Sequence, residues 1–210
     1  MPRPAAVLRT PESPGLRDHL ISITRRLITE RQTAQLTVRA IAREAGVADG
    51  VLYNYFADKE DLLAHALLAD IEAAERTLPP PPSPGTGTIE ASLAGHLRHI
   101  LDLHERVMPS FAALLGQPKA LARFQSLPRS VKGDNLRQHM SAHLTAEQRL
   151  GRLAPDMDAD AAATLLVGAC YDRVLPMLFR PWSQEPLESP ERFTESLVRT
   201  LLNGVRGDTA

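Results

Sequence analysis

The sequence predicts an all-α protein: a small three-helix head at the N-terminus and a larger helical domain after it, about nine helices in all. Three observations carry this expectation. Apolar residues recur at intervals of three and four along most of the chain; aromatic residues make up only 4% against abundant Ala and Leu; and no stretch alternates β-branched with polar residues as a half-buried strand would. With 210 residues there is enough chain to bury a substantial core.

The head can be read element by element. Leu16 to about Glu30 forms the first helix, with Ser13 as N-cap and Pro14 at the first helical position. Its apolar face is Leu16, Leu20, Ile23 and Leu27, with Ile28 alongside. Thr37 caps a short second helix carrying Val38, Ile41, Ala42 and Ala45, because its hydroxyl can accept from an unpaired first-turn amide. Gly46 ends that helix at a position that needs positive φ, and Val47 re-enters the core beyond it. Ala48 to Phe56 is the next helix; it packs Val51, Leu52 and Phe56, while Asp49, Gly50, Tyr53, Asn54 and Tyr55 include the positions left outside. Two short helices joined by a tight turn bury little, so the first helix must close over Ile41, Ala45 and Leu52. From a cap at Asp58 a fourth helix carries Leu62, Leu63, Ala66, Leu67 and Ile71 until Pro79 stops it.

The segment PPPPSPGTG, Pro79 to Gly87, cannot be helical and reads as a connector, stiff then flexible, between a domain at 14–78 and one at 88–210. Beyond it Ile89 to Met108 is a long helix apolar on more than one face, and Pro109 starts a shorter piece with Phe111, Leu114 and Leu115. About Ser130 to Leu150 follows, with Leu136, Met140 and Leu144 inward. Then come Asp158 to Phe179, interrupted near Pro176, and Ser189 to Val205, opened by a Ser cap and Pro190.

The run AIAREAGVADGVLYNYFADKEDLL, Ala40 to Leu63, resembles the DNA-binding signature of the TetR family of ligand-responsive transcriptional repressors. The matches are ordered: Ile-Ala, Ala-Gly-Val at the turn, Gly-x-Leu-Tyr, Tyr-Phe, then Lys-Glu before leucines. A second stretch, Gly151 to Asp172, is similar to the family's approach to its eighth helix. Together about 50 residues carry the resemblance. One departure is Ala48, where family members often have serine; Asp49 is the nearest substitute for the lost hydroxyl.

The resemblance implies a homodimeric repressor that binds a palindromic double-stranded DNA operator and is released when a small molecule occupies the C-terminal domain. Thr37, Tyr53, Tyr55 and Lys59 are placed to hold phosphates, and Arg39, Asp49, Gly50 and Asn54 to read bases, with Val38 and Ala48 flanking them at the helix starts. The last two helices would pair with their copies as a four-helix bundle, through Leu165, Gly168, Ala169 and Asp172 and a stripe of Phe193, Leu197, Leu201 and Val205. The effector would lie among His96, Leu97, Ile100, His104, Met108, Phe111, Phe124, Met140, His143, Tyr171, Val174 and Met177. Each of these is also an ordinary core residue for a helical domain.

Other classes find less support. There is no glycine-rich phosphate loop, no Gly-x-Ser-x-Gly elbow and no paired carboxylates that stand out, so an enzyme is not expected, nor a cofactor. His139 and His143, four apart, could share a helical face, but no acidic partner completes a metal motif and no metal is expected. A helical partner-binding protein that has lost operator binding remains the alternative. The net charge of −1 argues against non-specific nucleic-acid coating, although up to Glu60 Lys and Arg outnumber Asp and Glu by nine to seven. Cys170 is the only cysteine, so a reducing compartment is natural. No apolar run reaches the ~18 residues of a membrane span and the N-terminus lacks an apolar signal core, so a cytoplasmic protein without membrane contact is expected. The proline-rich opening dozen residues read as a loose tail.

Overall fold

A computed structural model describes residues 14–30, 36–128, 133–176 and 188–204. Among them there are eight α-helices, one 3₁₀ segment and no strand: α1 (Pro14–Glu30), α2 (Val38–Ala45), the 3₁₀ segment Asp49–Asn54, α3 (Lys59–Thr77), α4 (Ile89–Leu114), α5 (Pro118–Ser126), α6 (Gly133–Arg149), α7 (Ala159–Val174) and α8 (Pro190–Asn203). The expected Ser13 cap and the side chains of Met177, Phe179 and Val205 lie outside the described residues. By compactness the chain forms two units, Met1–Ala73 with Pro109–Ser130 and Ala74–Met108 with Val131–Ala210.

The first unit is built around α1, α2, the 3₁₀ segment and the start of α3. Leu16, Leu20, Leu27 and Ile28 of α1 are buried with Ile41, Ala42, Ala45, Leu52 and Phe56. The α1 face differs from the expected one: Ile21 and Thr24 are inside while Ile23 is half-buried. Thr24 is admitted because its hydroxyl donates to the Leu20 carbonyl one turn back at 2.8 Å, leaving no hydroxyl unsatisfied. Two charged links brace the unit: Arg25 Nη2 on α1 pairs with Asp70 on α3 at 2.8 Å, and Ser110 Oγ donates to the other Asp70 oxygen at 2.5 Å. Arg123 of α5 reaches Asp58 at 3.9 Å and Asp61 at 3.7 Å, while Phe124 packs edge-on against Phe111 with centroids 5.5 Å apart.

In the second unit α4, α6, α7 and α8 share one core, with Leu93, Leu97, Ile100, Met140, Leu144, Ala163, Leu166, Val167, Cys170, Val174 and Val198 buried in it. Phe193, Leu197 and Leu201 of α8 pack against it while staying partly exposed. Asp158 caps α7, accepting from the amides of Asp160 and Ala161 at 3.0 Å each, and Ser189 caps α8 by accepting from Arg192.

Three expectations about these elements need correcting. Pro109 does not start a new helix; it lies inside α4, which continues to Leu114. A proline removes one amide and crowds the preceding turn, and here the residues beyond it are held anyway by the Ser110 bond to Asp70 and by the complete burial of Leu114. The helix expected from Ala48 to Phe56 is a tighter 3₁₀ segment, Asp49–Asn54. Ala48 offers no side-chain acceptor, and i→i+3 bonds such as Val51 N–H to Ala48 O at 3.0 Å and Tyr55 N–H to Leu52 O at 3.1 Å satisfy terminal amides instead.

The Pro79–Gly87 segment is non-helical as expected, but it is not a loose connector. Its Pro79 carbonyl receives His99 Nδ1 at 2.9 Å, the Gly85 amide donates to Glu147 at 3.2 Å, and the Gly87 carbonyl accepts from Arg152 Nη2 at 3.1 Å. Pro82 presses so closely on α4 that a Cβ at Gly95 would stand 2.7 Å from its Cγ. Proline and glycine forbid a helix here, yet they leave the carbonyls free to be claimed by a neighbouring surface.

Candidate nucleic-acid interface and effector site

The expected reading head takes shape from local signals. Thr37 Oγ1 accepts from Ala40 N–H at 3.1 Å, which fixes where α2 begins. Gly46 adopts φ 70°, a left-handed conformation, and its amide and that of Val47 bond back to the carbonyls of Arg43 and Ala42. At the start of α3 the Asp58 carboxylate accepts from Asp61 N–H at 2.7 Å while Asp61 accepts from Ala57 N–H at 3.0 Å, a reciprocal cap. Gly46 makes the turn between α2 and the 3₁₀ segment, while Thr37 and Asp58 fix where α2 and α3 begin.

Arg39, Ala48, Asp49, Gly50, Tyr53 and Asn54 are exposed, whereas Val38, Tyr55 and Lys59 are half-buried. Arg39 Nε sits 3.3 Å from Asp49 Oδ2, which brings the two sequence-predicted base readers together across the turn. Both are well exposed, so the pair contributes little to stability and can open to other partners. Tyr53 is 59% exposed, a large ring left at the surface. Tyr55 is different. Its hydroxyl is buried and has no hydrogen-bond partner, so it is not offered at the surface as the phosphate role requires. Lys59 lies 3.8 Å from Glu60 and is only partly exposed. Arg26, on the same unit, is held by Glu44 at 2.6 Å and by Glu30, and the hydrogen bond to Glu44 raises its pKa further.

In the second unit the expected effector residues fall on inward faces of α4, α6 and α7: His96, Ile100, His104, Met140, His143 and Val174 are buried, while Met108 and Tyr171 are half-buried. Phe111 and Phe124 belong instead to the first unit, where they contact one another. Met177 is outside the described residues. The His96 ring lies on His143 with centroids 4.6 Å apart, and the His104 ring lies on Tyr171 at 4.1 Å. Burial pushes both His96 and His104 down to about 4, with His143 the next contributor for His96. The Nε2 of His104 and the Nδ1 of His96 have no hydrogen-bond partner, while the His104 ring is also influenced by the Ile100 carbonyl one turn back. Leaving such an atom buried and unpaired costs about 1–3 kcal/mol.

A polar cluster beside them escaped the sequence reading. Glu147 is fully buried and gathers Ser92 Oγ–H at 3.0 Å, the Gly85 amide at 3.2 Å and Arg152 Nε at 3.3 Å. His143 Nε2 stands 3.1 Å from Ser92 Oγ and 3.5 Å from Glu147 Oε1. Since Ser92 gives its proton to Glu147, the neutral His143 is assigned the tautomer that donates from Nε2 to Ser92. Desolvation lowers the His143 pKa, against the pull of Glu147. The His-x-x-x-Glu spacing of 143 and 147 was the available signal, and it supplies the acidic neighbour that the His139 pairing lacked. His139 itself is exposed while His143 is buried, so these two do not come together on one face. No group of three or more possible metal ligands occurs among the described residues. Serine, histidine and glutamate are not ordered for nucleophilic catalysis either: the carboxylate meets the serine and Nε2, not the far ring nitrogen that must orient the base, and Ser92 is buried.

Comparison with known proteins locates the head. Residues 20–66 match the family model described as bacterial regulatory proteins, tetR family. The HTH-type transcriptional regulator HbdR of Aromatoleum sp. (strain CIB) is 36% identical over 63 residues, which is 30% of this chain and 28% of that protein's length. Among solved structures, a regulator from Mesorhizobium loti assigned to the TetR family superposes with a TM-score of 0.70 at 16% identity, covering 91% of this chain and 97% of that one. FadR of Bacillus subtilis, solved with stearoyl-CoA, gives 0.61 at 19% identity with 90% and 99% covered. A regulator from Saccharomonospora viridis, solved with choline, gives 0.64 at 18% identity with 90% and 96% covered. The capped two-element head is similar, over residues 20–66, to the bacterial regulatory proteins of the tetR family, and the fold along nine-tenths of the length is shared with solved regulators.

Proposed function

We propose that the chain is a sequence-specific DNA-binding transcriptional regulator that acts as a homodimeric repressor and releases its operator when a small molecule binds within residues 88–210. The observation that carries this reading is the exposed row Arg39, Asp49, Gly50, Tyr53 and Asn54 on a helix-turn-helix whose start, turn and exit are each fixed by a cap. Such a segment enters a major groove with arginine and asparagine facing base edges, and Thr37 and Lys59 flank it at helix starts where phosphates are held. With its hydroxyl buried, Tyr55 is left out of the phosphate contacts.

Dimer symmetry would match a palindrome with half-sites ~34–36 Å apart or a multiple of it. In support of pairing, α7 exposes Leu165 (70%), Gly168 and Asp172, followed by Leu175 just past its end, a close-approach surface with large apolar residues left uncovered. The α8 residues Phe193, Leu197 and Leu201 contribute only their outer edges, since each also packs on its own chain's core. A small-molecule site in the larger domain draws support from the two related structures solved with stearoyl-CoA and with choline. No helix among the described residues is long and apolar enough to cross a membrane, in keeping with a regulator that works at cytoplasmic DNA.

A gel-shift with DNA from beside the protein's own gene tests the reading. A specific, salt-sensitive complex with dimer stoichiometry is the expected result. A chain that binds no such DNA while folding normally would return the reading to a helical partner-binding protein.

A further inference from the structure

We infer that the effector is an uncharged, mainly apolar molecule carrying a hydrogen-bonding oxygen, an alcohol, ketone or ester, with His104 as its polar anchor and Tyr171 as the ring that holds His104 in place. This rests on the reading of residues 88–210 as the effector-binding domain. His104 continues the apolar face of α4 that Leu93, Leu97, Ile100 and Leu101 define, where leucine would serve plain packing better. It is 5% exposed, and no atom of the protein partners its Nε2. Its ring is nonetheless fixed, tilted 54° against Tyr171 at 4.1 Å. A buried donor or acceptor that is oriented but unmet marks a place where a partner is missing.

The chemistry of that partner follows from the surrounding charges. His104 is neutral at physiological pH, its pKa pushed by burial to about 4 with the Ile100 carbonyl opposing only in part. A neutral imidazole offers one donor and one acceptor, which suits a hydroxyl or carbonyl oxygen. Glu147, the buried acid among the described residues of this unit, is already met by Ser92, Gly85 and Arg152, so it is not left open to a cation. An anion would have to protonate His104 or turn to Arg173, whose Nη2 donates to the Glu188 carbonyl at 2.6 Å and whose guanidinium lies over Phe193, leaving its buried Nε as the competing cationic donor. His96, with its Nδ1 also unpartnered, stands two turns earlier on the same helix, and Ile100 lies between them. His96 is thus a second polar anchor within reach of an oxygen-bearing ligand long enough to span two helical turns.

The test uses the full chain and a graded series of 1-alkanols from butanol to decanol, with the matching carboxylates and alkylammoniums at pH 7.5, read by isothermal titration and thermal midpoint. At least one alkanol should bind and raise the midpoint, with its charged counterparts more than tenfold weaker. His104→Leu should weaken that alkanol by at least tenfold while leaving the folded midpoint equal or higher, and His104→Gln, which keeps a donor and an acceptor, should restore part of the affinity. Failure of every alkanol to bind, undiminished binding to His104→Leu, or carboxylates binding as tightly as alkanols would overturn the inference, the last by making Arg173 the anchor. A parallel gel-shift separates the two readings: an alkanol that binds through His104 without releasing DNA leaves the site standing and sinks ligand-controlled release.

Discussion

Acid should destabilise this protein through two named histidines. His96 and His104 are 7% and 5% exposed and neutral, each with its pKa lowered from 6.5 to about 4. Their pKa values are depressed on folding, so between those limits the unfolded chain binds protons that the folded chain refuses, and stability falls as pH falls through the unfolded value. From pH 7.5 to about pH 5 each group forfeits roughly 1.4 pK units, or about 2 kcal/mol at 1.36 kcal/mol per unit, so the pair contributes about 4 kcal/mol of loss. His143, also lowered by desolvation, acts in the same direction, and His99 and His139 help to push His96 down. Urea midpoints at the two pH values, followed by far-ultraviolet circular dichroism, give the loss directly. His104→Leu should remove about 2 kcal/mol of it, because leucine has nothing to protonate. An acid response equally large in His104→Leu would show that the imidazole is not held neutral by burial, and the argument for its uncharged partner would weaken with it.

Other perturbations address different parts of the chain. Glu147→Ala strips Ser92, Gly85 and Arg152 of their common acceptor; a loss of about 2–4 kcal/mol is expected, with faster hydrogen exchange at the Gly85 amide as the local readout. Gly95→Ala would bring a Cβ to 2.7 Å from Pro82 Cγ, so exchange at Gly85 should quicken here too, with a cost of about 1–3 kcal/mol in the urea midpoint; silence at Gly85 would mean the proline is not pressed on α4. Asn54→Ala should relax preference at one operator position by about 1–3 kcal/mol in competition gel-shifts, and equal loss on every sequence would assign Asn54 to the backbone. Lys59→Ala should weaken all DNA alike and shallow the salt dependence by about one ion, a slope that fluorescence anisotropy measures.

What was legible in the sequence was what neighbours in sequence decide. Thr37, Gly46 and Asp58 act within three or four residues of themselves, and each stop appears where its chemistry predicts. The apolar periodicity likewise gave the inward faces of α4 and α6. Bonds that close over distance were not readable: Ser92 and Gly85 meet Glu147 from 55 and 62 residues away, so nothing local marks the carboxylate as buried. For the same reason the prolines of 79–87 announced a non-helical segment without announcing that a surface would claim it. Thr24 displaced Ile23 from the α1 face because a satisfied hydroxyl packs as readily as a methyl group, a choice made by tertiary fit.

The discontinuous make-up of the first unit bears on how the protein can be taken apart. Residues 109–130 complete a body that residues 1–73 begin, so no single cut releases the reading head as a self-sufficient piece. A fragment ending near residue 78 would keep Asp70 but lose Ser110, and would keep Asp58 and Asp61 but lose Arg123. Its acidic flank would then repel itself where it had been neutralised, and the surface vacated by Phe124 and Leu114 would be open to self-association. Minimal DNA-binding fragments of this protein are therefore better made by joining the two stretches through a short artificial loop than by truncation.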